Sequence, residues 1–172
     1  VIAGLGGHLK PGRPGFEHDL ARFAAQPLFR GIRTGLWGVT VAPEQPEFVR
    51  DLRRLAERDL ALDVLVGPEQ LHLVSSLAKA VPDLRIVVDH CANVRVDGQS
   101  PPKVWVKGIR GLTHHGNVHM KVSGLVEGTG RTGQGTPAEP GFYRPVLDVI
   151  WGALGEDRVI YGSNWPVSAR FA

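Results

Sequence analysis

Arg85-Ile-Val-Val-Asp-His-Cys91 is a short strand that ends in chemistry. Ile86, Val87 and Val88 form a β-branched run of the kind that parallel sheets bury on both faces. An acid and an imidazole, Asp89 and His90, follow at once, and then an irregular stretch from Cys91 to Pro102. Two later stretches repeat the design. Val118-His-Met-Lys-Val122 runs into Ser123-Gly124, and Arg158-Val-Ile-Tyr161 runs into Gly162-Ser-Asn-Trp-Pro166. Polar residues at the C-terminal ends of parallel strands are where α/β folds keep their chemistry. A row of strands presenting functional groups at one rim is therefore expected.

Working outward, strands and helices alternate. Val1 to Leu5, Phe29 to Arg33, Leu62 to Val66, Ile86 to Val88, Val118 to Val122 and Arg158 to Tyr161 read as strands. Between them, apolar residues at helical spacing mark helices over Phe16–Gln26, Pro46–Asp59 and Glu69–Val81, then around Val104–Leu112 and over Phe142–Leu154. Tyr143, Val146, Leu147, Ile150 and Trp151 are assigned to the inner face of the last helix, and Gly155 to its C-cap. Thr34 to Gln45 is read as loop, and Gly124 to Gly141, rich in Gly, Thr and Pro, as a long mobile loop or lid. This order predicts an α/β fold with a parallel sheet and right-handed crossovers. Six strands do not close an eight-stranded barrel of roughly 250 residues, so either the sheet is open or two strands are missing.

The 172 residues suit one domain, 1–172, and the 42% hydrophobic and 22% charged content is that of a globular chain. Net charge is only +3 and the basic residues are scattered, so no nucleic-acid footprint is indicated. No apolar run reaches membrane-spanning length, and no membrane partner is expected. The single cysteine, Cys91, permits no internal disulfide and fits a reducing cytoplasm. A strand begun at Val1 without an initiating Met leads to the expectation that the chain is a fragment of a longer one.

Four motifs stand in order: Phe29-Arg-Gly-Ile-Arg33, Ile86-Val-Val-Asp-His90, Asn117-Val-His-Met-Lys-Val-Ser-Gly-Leu125 and Asp157-Arg-Val-Ile-Tyr-Gly-Ser-Asn-Trp-Pro-Val167. Together they resemble the amidohydrolase-related TIM-barrel hydrolases, nearest to the branch of sugar lactonases and 2-pyrone-4,6-dicarboxylate lactonase. The resemblance implies a (β/α)8 barrel, here incomplete, with these six strands as its third to eighth. It implies a His-x-His pair on a first strand that this chain lacks, for which Gly7-His8-Leu9 is no substitute. It also implies an Asp in the last turn, where this chain has Asn164.

The implied activity is hydrolysis of a lactone of a sugar acid or dicarboxylic acid, a small-molecule substrate, with water attacking the carbonyl carbon. His90, at a strand end, is expected to polarise the carbonyl or orient water, as neutral imidazole can. Asn164 is expected to hold the attacking water, although an amide cannot take its proton. Arg33 has two open readings, an ion-pair partner or a bidentate clamp for a substrate carboxylate. Ser123 is a candidate for substrate contact rather than a nucleophile, since no elbow or paired base accompanies it. Glu127 is a candidate for substrate contact, with a solvated loop acid as its plainer reading.

Asp89 is expected to fix the His90 tautomer, Asp63 to serve as an internal partner, Lys121 to lie along the strand with its ammonium in solvent, and the Trp165 ring to pack under the rim. His114, His115 and His119 are read as turn and strand residues rather than metal ligands, because adjacent histidines point apart and no acid completes a set. No metal or other cofactor is expected. Two competing readings are a non-catalytic, degenerate barrel and a metal-dependent amidohydrolase or decarboxylase of the same superfamily. Self-association through open barrel edges is the one macromolecular contact expected.

Overall fold

Each apolar run finds a parallel neighbour. In the computed structural model, which describes residues 2–35, 45–131 and 135–171, six strands pair in chain order. They are β1 (Leu5–Gly7), β2 (Phe29–Gly35), β3 (Ala61–Leu65), β4 (Ile86–Val88), β5 (Val118–Val122) and β6 (Val159–Tyr161). Five α-helices lie between them among the described residues: α1 (Phe16–Ala24), α2 (Pro46–Glu57), α3 (Leu71–Ala80), α4 (Lys103–Gly111) and α5 (Arg144–Leu154). Sequential parallel strands joined by right-handed crossovers place every helix on the same side of the sheet. That is the wall of a (β/α) barrel, left open: six parallel strands with two free edges, β1 and β6, among the described residues.

Register decides which side chains meet the helices. Ile32, Leu62, Ile86 and Val118 are aligned across β2 to β5, as are Val64, Val88 and Met120 two residues on. All seven are almost completely buried. They face Leu52 and Leu55 of α2, Leu71, Val74 and Leu77 of α3, Trp105 and Ile109 of α4 and Ile150 of α5, in one continuous core. Burying each such side chain stabilises the fold by about 1.5–3 kcal/mol. Gly31 is required in β2, because a Cβ there would run into the Ala61 carbonyl of β3. The opposite face carries Arg33, Asp63, Val87 and His119 in a second aligned row, with Lys121 beyond. This face is the lumen of the open barrel.

Several expected boundaries shift. β1 begins at Leu5 rather than ending there, because pairing starts where Leu5 meets Phe29, and Val1 lies outside the described residues. β2 extends through Gly35, while 36–44 of the expected loop lie outside the described residues, as do 132–134 of the next one. The third helix is split, with a 3-10 turn at Pro68–Gln70 preceding α3. In α5, Val146, Ile150 and Leu154 form the buried stripe. Trp151, expected inside, is exposed, since it sits one residue past the stripe. Gly155 caps this helix at φ 69°, as its position implied.

Candidate active site

Four charged side chains, three from β2, β3 and β5 and one just past the end of β4, close a ring in the lumen. Lys121 Nζ donates to Asp63 Oδ2 at 2.8 Å and to Asp89 Oδ1 at 2.7 Å. Arg33 Nε lies 2.8 Å from Asp89 Oδ2 as an ion pair whose N–H is off line for a hydrogen bond, and its guanidinium is 3.7 Å from Asp63. Asp89 is fully buried, so its charge depends on these two cations. Burial by itself would lower the Lys121 pKa, but the hydrogen bonds and charges of Asp63 and Asp89 overcome it, and the net shift is upward. The ring holds two positive and two negative charges and is neutral.

Beside it the chain makes an unusual turn. His90, Cys91, Ala92 and Asn93 have φ of 52°, 51°, 55° and 50°, one turn of left-handed 3-10 helix without a glycine. Such backbone costs roughly 1–2 kcal/mol per residue and persists only where its surroundings impose it. Here the Asn93 side-chain amide donates to the Val66 carbonyl at 2.7 Å, and the fully buried Trp105 indole donates to the Cys91 carbonyl at 2.8 Å. Cys91 and Ala92 are themselves packed in the core. Burial pushes the Cys91 thiol up to about 12, which leaves it protonated and inert.

The turn sets His90 against the end of β5. His90 Nδ1 and Ser123 Oγ are 2.8 Å apart, and Nε2 has no hydrogen-bond partner among the described residues. Gly124 follows Ser123 with φ 64°, and a Cβ there would stand 3.0 Å from that of His90, so glycine lets the two loops touch. The His90 pKa is lowered chiefly by burial, against Asp89 and with help from Arg33 and Lys121, so the ring is neutral at pH 7.

Across the rim, Asn164 follows β6 with φ 54° and donates from its side-chain amide to Glu127 Oε1 at 2.8 Å. Glu127 opens a 3-10 turn, Glu127–Thr129, in the segment after β5. That turn is tied down by the Gly128 amide donating to the Gly124 carbonyl and the Val96 amide donating to the Gly128 carbonyl. His90, Glu127 and Asn164 line one cavity of about 530 Å³, together with Asn93 and Arg95. A second hollow of about 340 Å³, bordered by Ser123, Tyr143, Tyr161 and Ser163, shares Glu127 with it.

The structure thus gathers His90, Ser123, Glu127 and Asn164 at one rim and sets Arg33 in the lumen beside it. Other expectations are corrected. Asp89 meets Arg33 and Lys121, and the Nδ1 partner of His90 is Ser123 instead. Lys121 points into the lumen, because the face away from the helices is here a concave surface lined with acids rather than open solvent. Glu127 is not a free loop acid, and the Trp165 ring is 73% exposed, not packed under the rim. Arg33 is engaged by two carboxylates. Asn93, Val96 and Trp105, which fasten the site, went unmarked, since only the fold brings them to it.

A family model described as amidohydrolase matches residues 5–172. The chain belongs to the amidohydrolase family. It is 37% identical over 153 residues to an L-fucono-1,5-lactonase of Burkholderia ambifaria, a match covering 87% of this chain and 50% of the lactonase. The chain spans about half the length of that relative. Among solved structures it is similar to an amidohydrolase from Burkholderia multivorans with bound HEPES, at TM-score 0.85 and 25% identity, covering 99% of this chain and 62% of the other. A zinc-bound crystal form of the multivorans enzyme gives 0.84. A Pseudomonas putida protein proposed to be a 2-pyrone-4,6-dicarboxylic acid hydrolase shares the fold, at TM-score 0.67 and 24% identity over 95% of this chain and 55% of that one.

The zinc bound in the Burkholderia multivorans structure raises the question of a metal here. Among the described residues no group of three or more His, Cys, Asp or Glu side chains is arranged to hold an ion. Where Asp63 and Asp89 converge, the Lys121 ammonium already stands between them. Among the described residues these donors do not form a metal centre. No helix among the described residues is long and apolar enough to cross a membrane.

Proposed function

We propose that this chain carries the catalytic rim of a lactone hydrolase. The observation that carries the reading is a neutral, half-buried His90 facing Asn164 and Glu127 across one cavity. If Ser123 donates its hydroxyl proton to Nδ1, the imidazole proton sits on Nε2, which can donate to the lactone carbonyl as negative charge develops there. Water then attacks the carbonyl carbon from the Asn164 side. The tetrahedral intermediate collapses with cleavage of the ring C–O bond, and the ring oxygen takes up a proton to leave as the hydroxyl of the hydroxy acid. The chain's likeness to a sugar lactonase supports this reading.

The lumen bears on substrate class. Both arginine and lysine charges are already balanced by Asp63 and Asp89, so a substrate carboxylate would have to displace an internal acid. A neutral sugar-acid lactone is the better fit than a dicarboxylate. We place the reaction in the cytoplasm, as the free buried thiol of Cys91 suits a reducing compartment, and without a metal. Asn164, an amide where a base would be useful, favours the non-catalytic reading.

Ring opening of a panel of 1,5-lactones, followed by acid release with a pH indicator, tests the proposal. The chain is expected to hydrolyse neutral lactones above the buffer rate, and His90→Ala to lower kcat by about a hundredfold or more. Equal rates with and without the chain, or an undiminished His90→Ala variant, count against it.

A further inference from the structure

We propose that Glu127 is the general base of this site and that Asn164 is the residue that positions it. The inference rests on the lactone-hydrolase reading and names the proton acceptor that reading leaves open. An amide has no basic site for the water proton, whereas a carboxylate has. Asn164 Nδ2 donates to one Glu127 oxygen, Oε1, at 2.8 Å, which fixes the carboxylate and leaves Oε2 with no hydrogen-bond partner among the described residues. Glu127 is half-buried and lines the same cavity as His90. It is near enough for its charge to act on that imidazole.

The backbone around Glu127 is built to hold it there. Gly128 is tied at both its amide and its carbonyl, to Gly124 and to Val96, and Thr129 Oγ1 donates to the Val126 carbonyl at 2.8 Å. The Val96 bond anchors the turn to the segment that follows His90, and the Gly124 bond ties it to the glycine that lies against the His90 side chain. In the proposed step, the water oxygen forms a bond to the lactone carbonyl carbon while one water proton passes to Glu127. The carbonyl π pair moves onto oxygen, facing His90. On collapse the ring C–O bond breaks, and the departing oxygen receives the proton from Glu127, which returns as carboxylate.

Glu127→Gln keeps the size of the side chain and its hydrogen-bonding reach, so the fold should survive, as a thermal melt will verify. Its kcat is expected to fall by about a hundredfold or more with little change in KM, and the acidic limb of the kcat–pH profile should disappear. Asn164→Asp alone sets two carboxylates at hydrogen-bond distance, which raises the pKa of one of them and should move that limb to higher pH. The exchange of both, Glu127→Gln with Asn164→Asp, restores one carboxylate held by one amide and should recover much of the lost rate. A Glu127→Gln chain as fast as the parent overturns the assignment while leaving lactone hydrolysis intact. A swapped chain no better than Glu127→Gln removes the paired-amide account. A parent chain that opens no lactone ends the lactonase reading and this inference together.

Discussion

His90 shows how much one residue's surroundings set its chemistry. Burial outweighs the attraction of Asp89 and holds the imidazole below its ordinary 6.5, and burial does the same for His119, helped by Arg158. The unfolded chain therefore takes up protons first as pH falls, and stability that is full above about 6.5 is lost as pH drops through the folded-state values. Lys121 has the opposite sign, its contribution fading only as pH rises above 10.5. The thermal midpoint is expected to decline between pH 7 and pH 5, and the decline to be shallower in a His90→Asn, His119→Asn chain. An unchanged slope in that double variant would show that other groups carry the acid sensitivity. The sequence placed His90 at a strand end, because a β-branched run terminated by a polar pair is a local signal. Its partner was not local: Ser123 lies 33 residues on, and the Arg33 that claims Asp89 lies 56 residues back.

At the scale of the element, strands and helices were legible from periodicity, and the left-handed turn was not. Cys91-Ala92 carries no glycine to announce positive φ, and the turn exists because Val66, Trp105 and the core hold it. Ala92 is completely buried at φ 55°. A β-branched side chain there meets both overpacking and a backbone it resists, and Ala92→Val is expected to cost about 2–4 kcal/mol. Ala92→Gly relaxes the backbone but gives up a buried methyl worth about 0.8 kcal/mol, so it should be close to neutral. Chemical denaturation of the two variants decides this, and equal losses would mean that packing alone governs the turn. The same blindness hid the Glu127–Asn164 pair. A glycine- and threonine-rich segment reads as mobile, and nothing in it reveals that Val96 pins it.

For the whole molecule, the alternation of strands and helices was legible in the order of motifs, and the sheet bears out the six-stranded wall among the described residues. Its free edges are apolar. Leu5 of β1 is 53% exposed and lines a hollow of about 510 Å³ with Phe23, Leu28 and Phe29, and Ile2 just before the strand is 66% exposed. At β6, Tyr161 is 82% exposed, beside Ile160. Unpaired strand edges with apolar flanks template further pairing. The isolated chain is expected to self-associate, with a sedimentation coefficient that grows with concentration. A monomer of constant size across the concentration range would show that the edges are protected in another way.

The hydrogen bond from the Trp105 indole to the Cys91 carbonyl makes this site optically visible. Among the described tryptophans, Trp151 and Trp165 face solvent, whereas Trp105 is completely enclosed and is tethered to the strained turn itself. Its emission should lie to the blue of theirs and shift red when the turn lets go. In a Trp37→Phe chain the assembly of the rim can then be timed from the protein's own fluorescence, with no substrate added.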